Sequence, residues 1–223
     1  QKKCLGKMGE VASEGRTVLF VSHNMAAVRA LCSKGMVLGN GRIEYVGDID
    51  ATIYRYVQKI KIMKGVELID RKDRKGSKWL TFSKISIFDK FDNEIKQVTS
   101  GQDIRIRFYY KSSKWVKSAS VNIAFNVRNE IGYIITNLNS FDSGDAVQEI
   151  GNDGFFQCEW EKFNLKSGSY DCNLFCSVNG DIVDWIQSAF SIHVEDGDYY
   201  NSGRIIGKEQ GDILVPHRWS SHV

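Results

Sequence analysis

The chain has 223 residues, 42% apolar and 26% charged, with 30 basic against 27 acidic side chains. This balance excludes wholesale disorder, and a formal net charge of +3 is too even for a nucleic-acid partner. No apolar run nears the ~20 residues of a membrane-spanning helix, no signal peptide is read, and a start at Gln1 reads as a fragment of a longer protein.

Residues 1 to 63 alternate helix and strand. Leu5, Met8 and Val11 recur at helical spacing over Lys2 to Glu14, and Gly15 stops the helix. Thr17 to Val21 is a continuous apolar run, the pattern of a strand buried on both faces of a parallel sheet. Asn24 caps a helix through Val28 and Leu31. Met36 to Leu38 and Arg42 to Val46 read as a hairpin around Gly39-Asn40-Gly41. Asp50 then caps a helix to about Met63. Residues 64 to 78 form a charged linker, whose cluster Arg71 to Lys78 reads as solvated, with a phosphate or lipid patch as the alternative.

From 79 to 223 the period changes to two. Ile104, Ile106, Phe108 and Tyr110 share one strand face; so do Val121, Ile123, Phe125 and Val127, then Tyr170, Cys172, Leu174, Cys176 and Val178, then Phe190, Ile192 and Val194. Leu80–Phe88, Tyr133–Asn137 and Phe155–Phe163 are further strand candidates. Seven or eight short strands separated by Asn, Asp and Gly turns predict a mainly β fold, an immunoglobulin-like or jelly-roll antiparallel β-sandwich. The 5 cysteines are an odd number without a CxxC pair, and read as small apolar residues of a reducing compartment.

With the apolar sets turned inward, three strands present their other residues together. Asn122, Ala124, Asn126 and Arg128 lie on the first; Asp171, Asn173, Phe175 and Ser177 on the second; Trp185, Gln187, Ala189, Ser191 and His193 on the third. Amides and guanidinium suit paired sugar hydroxyls, and aromatic rings stack on sugar C–H faces. The carbohydrate-binding candidates are Asn122, Asn126, Arg128, Asn173, Phe175, Ser177, Trp185 and Gln187. Such side chains also occur on any solvated sheet face. A rival face on the other sheet carries Arg105, Arg107 and Tyr109 beside Gln157 and Glu159. No catalytic set is read. Asp181 and Asp184 read as turn formers and not as a glycosidase pair, and no metal site is expected although Asp196 and Asp198 lie close in sequence.

The segment Gly15 to Val28 (GRTVLFVSHNMAAV) resembles the switch-histidine region of ABC ATPases, and Gly39 to Gly47 (GNGRIEYVG) resembles that family's late hairpin. The wording is similar to the Wzt type of polysaccharide exporter ATPase, in which an ATPase domain precedes a carbohydrate-binding sandwich. The similarity covers residues 1 to about 60, with sparser matches at Leu165 to Tyr170, Phe190 to Val194 and Val215 to Trp219. It implies that residues 1–63 are the C-terminal fragment of a nucleotide-binding domain and that His23 is the counterpart of the switch histidine. It further implies a cytoplasmic protein held at the inner membrane by a permease subunit, a homodimer, and O-antigen-type polysaccharide as partner. ATP and magnesium belong to the parent protein. No G-x-x-x-x-G-K-[ST] loop, Walker B strand or signature motif occurs here, so no cofactor and no ATPase activity are expected of this chain. Two readings follow: non-catalytic recognition of a lipid-linked polysaccharide before export, or a dimerisation and coupling domain without glycan contact. A glycoside-processing enzyme is a weaker third.

Overall fold

In this computed structural model the described residues are 17–21, 25–39, 41–64, 67–117, 119–130, 132–145, 149–207 and 211–221. The chain divides into two compact units, Gln1–Met63 and Lys64–Val223.

In the first unit, helix α1 (Met25–Leu31) precedes a hairpin of β1 (Lys34–Gly39) and β2 (Arg42–Asp48), followed by α2 (Ile49–Lys64). The cap of α2 lies two residues before the expected Asp50: the Asp48 carboxylate accepts the Asp50 N–H at 2.8 Å, and Asp50 pairs instead with Arg29 at 2.7 Å. Thr17 to Val21, expected as a buried strand, joins no ladder, and Leu19 and Val21 are 86% and 94% exposed. A strand buried on both faces needs sheet neighbours and covering helices, and the described residues supply none to it. The expected helix over Lys2 to Glu14, the cap Asn24 and the switch-histidine counterpart His23 lie outside the described residues.

The second unit is the sandwich. Its strands are β3 (Leu80–Asp89), β4 (Glu94–Ile95), β5 (Val98–Thr99), β6 (Ile104–Ser112), β7 (Val121–Arg128), β8 (Ile134–Asn139), β9 (Asp153–Trp160), β10 (Gly168–Val178) and β11 (Asp181–Glu195). One sheet runs β5-β11-β10-β7-β8 and the other β4-β3-β6-β9. The ladders are antiparallel except at β5, where Val98 and Thr99 pair in parallel with Val194 and Glu195. The period-two pattern dictates the core. Ile104, Ile106, Phe108, Val121, Phe125, Cys172, Leu174, Ile186 and Ile192 are buried between the sheets. Phe108 of one sheet meets Phe125 and Phe190 of the other at ring distances of 5.4 and 5.9 Å. Burial of each such ring contributes about 1.5–3 kcal/mol. Trp160, on the same strand face as Phe156 and Cys158, packs against Phe163 with the rings tilted at 52° and 4.5 Å apart, whereas Trp115 and Trp219 are exposed.

The stretch read as a solvated linker is built into this unit from its 3-10 turn (Leu68–Asp70) onward. Leu68, Arg71 and Arg74 are buried. Residues 75 to 78 lie along β11: the Lys75 N–H donates to the Trp185 carbonyl at 2.9 Å and the Trp185 N–H returns the bond at 2.9 Å. Gly76, at φ 111°, sits where a Cβ would meet the Val183 backbone at 2.7 Å, so the close approach requires glycine. Asp184, read as a turn former, is buried at 0% exposure and bonds to Arg74 at 2.7 Å and to the Phe82 N–H at 2.8 Å. Burial pushes its carboxyl up, against the Phe82 amide and Arg74. We call residues 67 to 78 the strap.

Candidate carbohydrate-binding face

The expected neighbours are neighbours. β7, β10 and β11 lie side by side, with β8 completing the surface. Register then sorts the outward residues into rows. Asn139, Ala124, Phe175 and Trp185 stand opposite one another across four strands. Asn137, Asn126 and Asn173 form the next row, and Arg128, Asp171 and Ser191 the third. Asn122 and Ser177 face each other on the other side of the aromatic row.

The aromatic row holds a shelf. Phe175 and Trp185 meet edge to face at 6.5 Å, and Lys75 Nζ lies 5.1 Å from the Trp185 ring centre. Ala124 opposite Phe175 on β7 leaves that side of the ring without a bulky neighbour. Phe175 and Trp185 are half-buried, each offering ring surface to a ligand.

The polar rows hold unmet hydrogen-bonding capacity. Asn126 Oδ1 and Arg128 Nε are buried atoms with no hydrogen-bond partner among the described residues. One is an acceptor and the other a donor, two residues apart on one strand face. A buried polar atom left unpaired costs roughly 1–3 kcal/mol, so a pair of this kind calls for a bridging water or a small shift of the side chains that brings them to a partner with both a donor and an acceptor. A sugar hydroxyl offers both.

Not every candidate is open to solvent. Asn173 is 5% exposed, and its Oδ1 accepts the Ser188 N–H at 2.8 Å. Two extra residues enter β11 where Asn173 lies opposite, because Cys172 pairs with Phe190 while Leu174 pairs with Ile186. The resulting bulge, Gln187 to Ala189, folds Ser188 over Asn173 and gives Asp171 a hydroxyl bond at 2.6 Å. Asn173 therefore supports the face and does not line it. Ser177 is also buried. Gln187 is exposed on the bulge, and Ala189, expected outward, packs against the core. Asn122, Asn126 and Arg128 are half-buried on the face, as are Phe175 and Trp185.

Sequence reasoning missed Asn137 and Asn139. Its strand ended at Asn137, and the register shift in the β7–β8 ladder hides their parity from a count along the chain. Beyond Arg128, a cleft of about 220 Å³ lined by Asn129, Lys166, Ser169 and Asp212 continues past the polar rows.

The rival face satisfies itself. Arg107 bonds to Gln157 at 2.8 Å and to Asp92, and lies 4.3 and 5.0 Å from the Phe88 and Phe155 ring centres. Arg105 pairs with Glu159 and Asp92 at 3.6 and 3.7 Å. Among the described residues no cluster of three or more His, Cys, Asp or Glu could hold a metal, and no helix is long and apolar enough to cross a membrane.

A family model described as the Wzt C-terminal domain matches residues 71–206. The teichoic acids export ATP-binding protein TagH of Bacillus anthracis is 35% identical over 72 residues, 32% of this chain and 13% of that protein. TagH of Staphylococcus haemolyticus is 36% identical over 76 residues, 34% of this chain and 29% of that protein. The chain thus spans less than a third of the length of either relative. The crystal structure of the C-terminal domain of wzt superimposes with a TM-score of 0.55 at 14% identity, covering 72% of this chain and 95% of that one. The shared fold is that of the sandwich.

Proposed function

This chain belongs to the Wzt C-terminal domain family, and we propose that its sandwich binds a cell-surface polysaccharide for export by an ABC transporter. The observation that carries the proposal is the half-buried Phe175–Trp185 shelf beside the Asn126 and Arg128 side chains on one sheet face. A ring stacked on the shelf would bring its hydroxyls over the row of Asn126 and the neighbouring Arg128. In this reading the module works at the cytoplasmic side of the membrane through a permease subunit. ATP and magnesium act on an upstream ATPase domain. The present chain has no phosphate loop to fit them, and no step of hydrolysis is assigned to it.

The polymer class follows from two supports. Neutral hydroxyls suit the amide row and the shelf. The TagH relatives are named for teichoic acids, whose phosphates would need cations, and Arg128 faces Asp171 across the ladder. We favour a neutral sugar unit as the part read, of the O-antigen type. The test is a titration of the ¹⁵N-labelled chain with a neutral polymannose O-chain and, separately, with poly(glycerol phosphate). Shifts in the Asn126 side-chain amide, Arg128 Nε–H and Trp185 indole with polymannose are expected. Absence of shifts with both polymers would overturn the reading.

One observation favours a second role as a dimerisation and coupling domain. Among the described residues of the closing segment, 211–221, Leu214 alone is buried, while Ile213, Val215 and Trp219 are 39%, 60% and 91% exposed. Deleting residues 211–223 and measuring mass in solution tests it. Loss of a dimer with polymannose binding retained would make the two roles separable.

A further inference from the structure

We propose that Arg71 is a positioning residue for the carbohydrate face, acting through the Ser188 bulge. The geometry is a short relay. Arg71 Nη2 donates to the Gln187 carbonyl at 2.8 Å and Nη1 to the Ser188 carbonyl at 3.1 Å. From the other side, the Ser188 N–H bonds to Asn173 and its hydroxyl to Asp171, both on the outward face of β10. Ser188 stands at φ 48°, a left-handed conformation that a residue with a side chain adopts at a cost and that persists only when its surroundings enforce it.

Three features argue for a built device. The Arg71 side chain is 4% exposed, so its charge is held inside the protein. Asp73 neutralises it with two bonds, 2.7 Å to Nε and 2.6 Å to Nη2. A planar fork can bridge a carboxylate and two successive carbonyls at once; a lysine ammonium cannot. The bulge also adds two residues to β11 where an unbulged strand would leave Asn173 open. Among the described residues the fork is what grips the Gln187 and Ser188 carbonyls, while Asn173 and Asp171 hold Ser188 from the other side. The strap is the chain's path from α2 into the sandwich, so the grip ties the face to its point of entry.

The role of the face rests on the carbohydrate reading; the relay does not. The test therefore has two arms, both on the full chain. In the first, hydrogen exchange at the Ser188 amide and the Asn173 side-chain resonances are followed by NMR. R71M is expected to speed Ser188 exchange by ~10-fold or more and to shift Asn173, with Phe108 and Leu174 unchanged. R71K recovers part of the protection, because it can reach one carbonyl. Should R71M not fold, D73N loosens the same grip and shows the same local pattern. Wild-type exchange at Ser188 in these variants, or loss spread evenly over the sandwich, overturns the proposal. In the second arm, polymannose binding is measured. A ~10-fold loss in R71M alongside the local change is expected; unchanged binding despite a released bulge overturns positioning. If wild type binds no polymannose, the carbohydrate reading falls, and the exchange arm still decides the relay.

Discussion

Arg74 Nη1 lies 2.7 Å from Asp184 Oδ2, with the two side chains 4% and 0% exposed. The pair pins the strap to β11 next to Trp185 of the proposed carbohydrate face. Asp184 stands opposite Cys176 at an inward position, where an apolar residue would be expected, and Arg74 lets a carboxylate occupy it. Arg74 also bonds to the carbonyls of Arg71, Leu68 and Phe82, so the strap, β3 and β11 meet at one guanidinium.

Breaking that pair from one side leaves an uncompensated buried charge. D184N and R74M are each expected to cost about 3–5 kcal/mol. The double variant R74M/D184L, which removes both charges, is expected to lose less than the sum. Urea unfolding midpoints of the three variants check this.

The face is expected to lose affinity residue by residue. F175A and W185A each remove a stacking ring worth about 0.5–1.5 kcal/mol beyond its area, so each weakens polymannose binding up to roughly tenfold in calorimetry. N126A removes the central amide of the asparagine row and acts similarly. R105A, on the opposite sheet, breaks only surface pairs and leaves binding unchanged. Equal losses from both sheets would rule out the assignment to this one.

Acid is expected to release the strap. The hydrogen bond from Arg71 holds the Asp73 carboxyl below its ordinary value of 3.8. A carboxyl lowered in the folded state contributes stability above its unfolded value, and that stability is lost as pH falls through the folded one. The stability difference between wild type and D73N is therefore constant at neutral pH and vanishes on acidification below ~pH 4. A difference that grew on acidification would show that Asp73 is not held as a carboxylate.

The sandwich thiols are expected to be inert. Burial pushes Cys158 up to about 11 and raises Cys176 further. At pH 8 roughly a thousandth of Cys158 is thiolate, and Cys172 and Cys176 are closed to reagent as well. Iodoacetamide followed by mass spectrometry should label these three positions rapidly only after urea is added.

Much of the sandwich was legible along the chain because strand alternation is a local property. Ile104 to Tyr110 and Val121 to Val127 announce which side faces the core, and the adjacency of β7, β10 and β11 follows from the immunoglobulin-like order. The same alternation carried Asn122, Asn126, Arg128, Phe175 and Trp185 to one surface. It carried Asn173 there too, without revealing that Ser188 covers it.

What the linear pattern could not carry is set by partners more than a hundred positions away. The charged run Arg71 to Lys78 looks solvated because its counterion Asp184 and the Gln187 and Ser188 carbonyls come from the far end of the chain. The β11 bulge looks like ordinary strand, because two inserted residues preserve parity. Thr17 to Val21 looks like a buried strand because a run of apolar residues encodes only its wish for cover. The chemical character of each face was written locally, residue by residue; which polar atoms stayed unpaired was decided only when distant segments closed over one another.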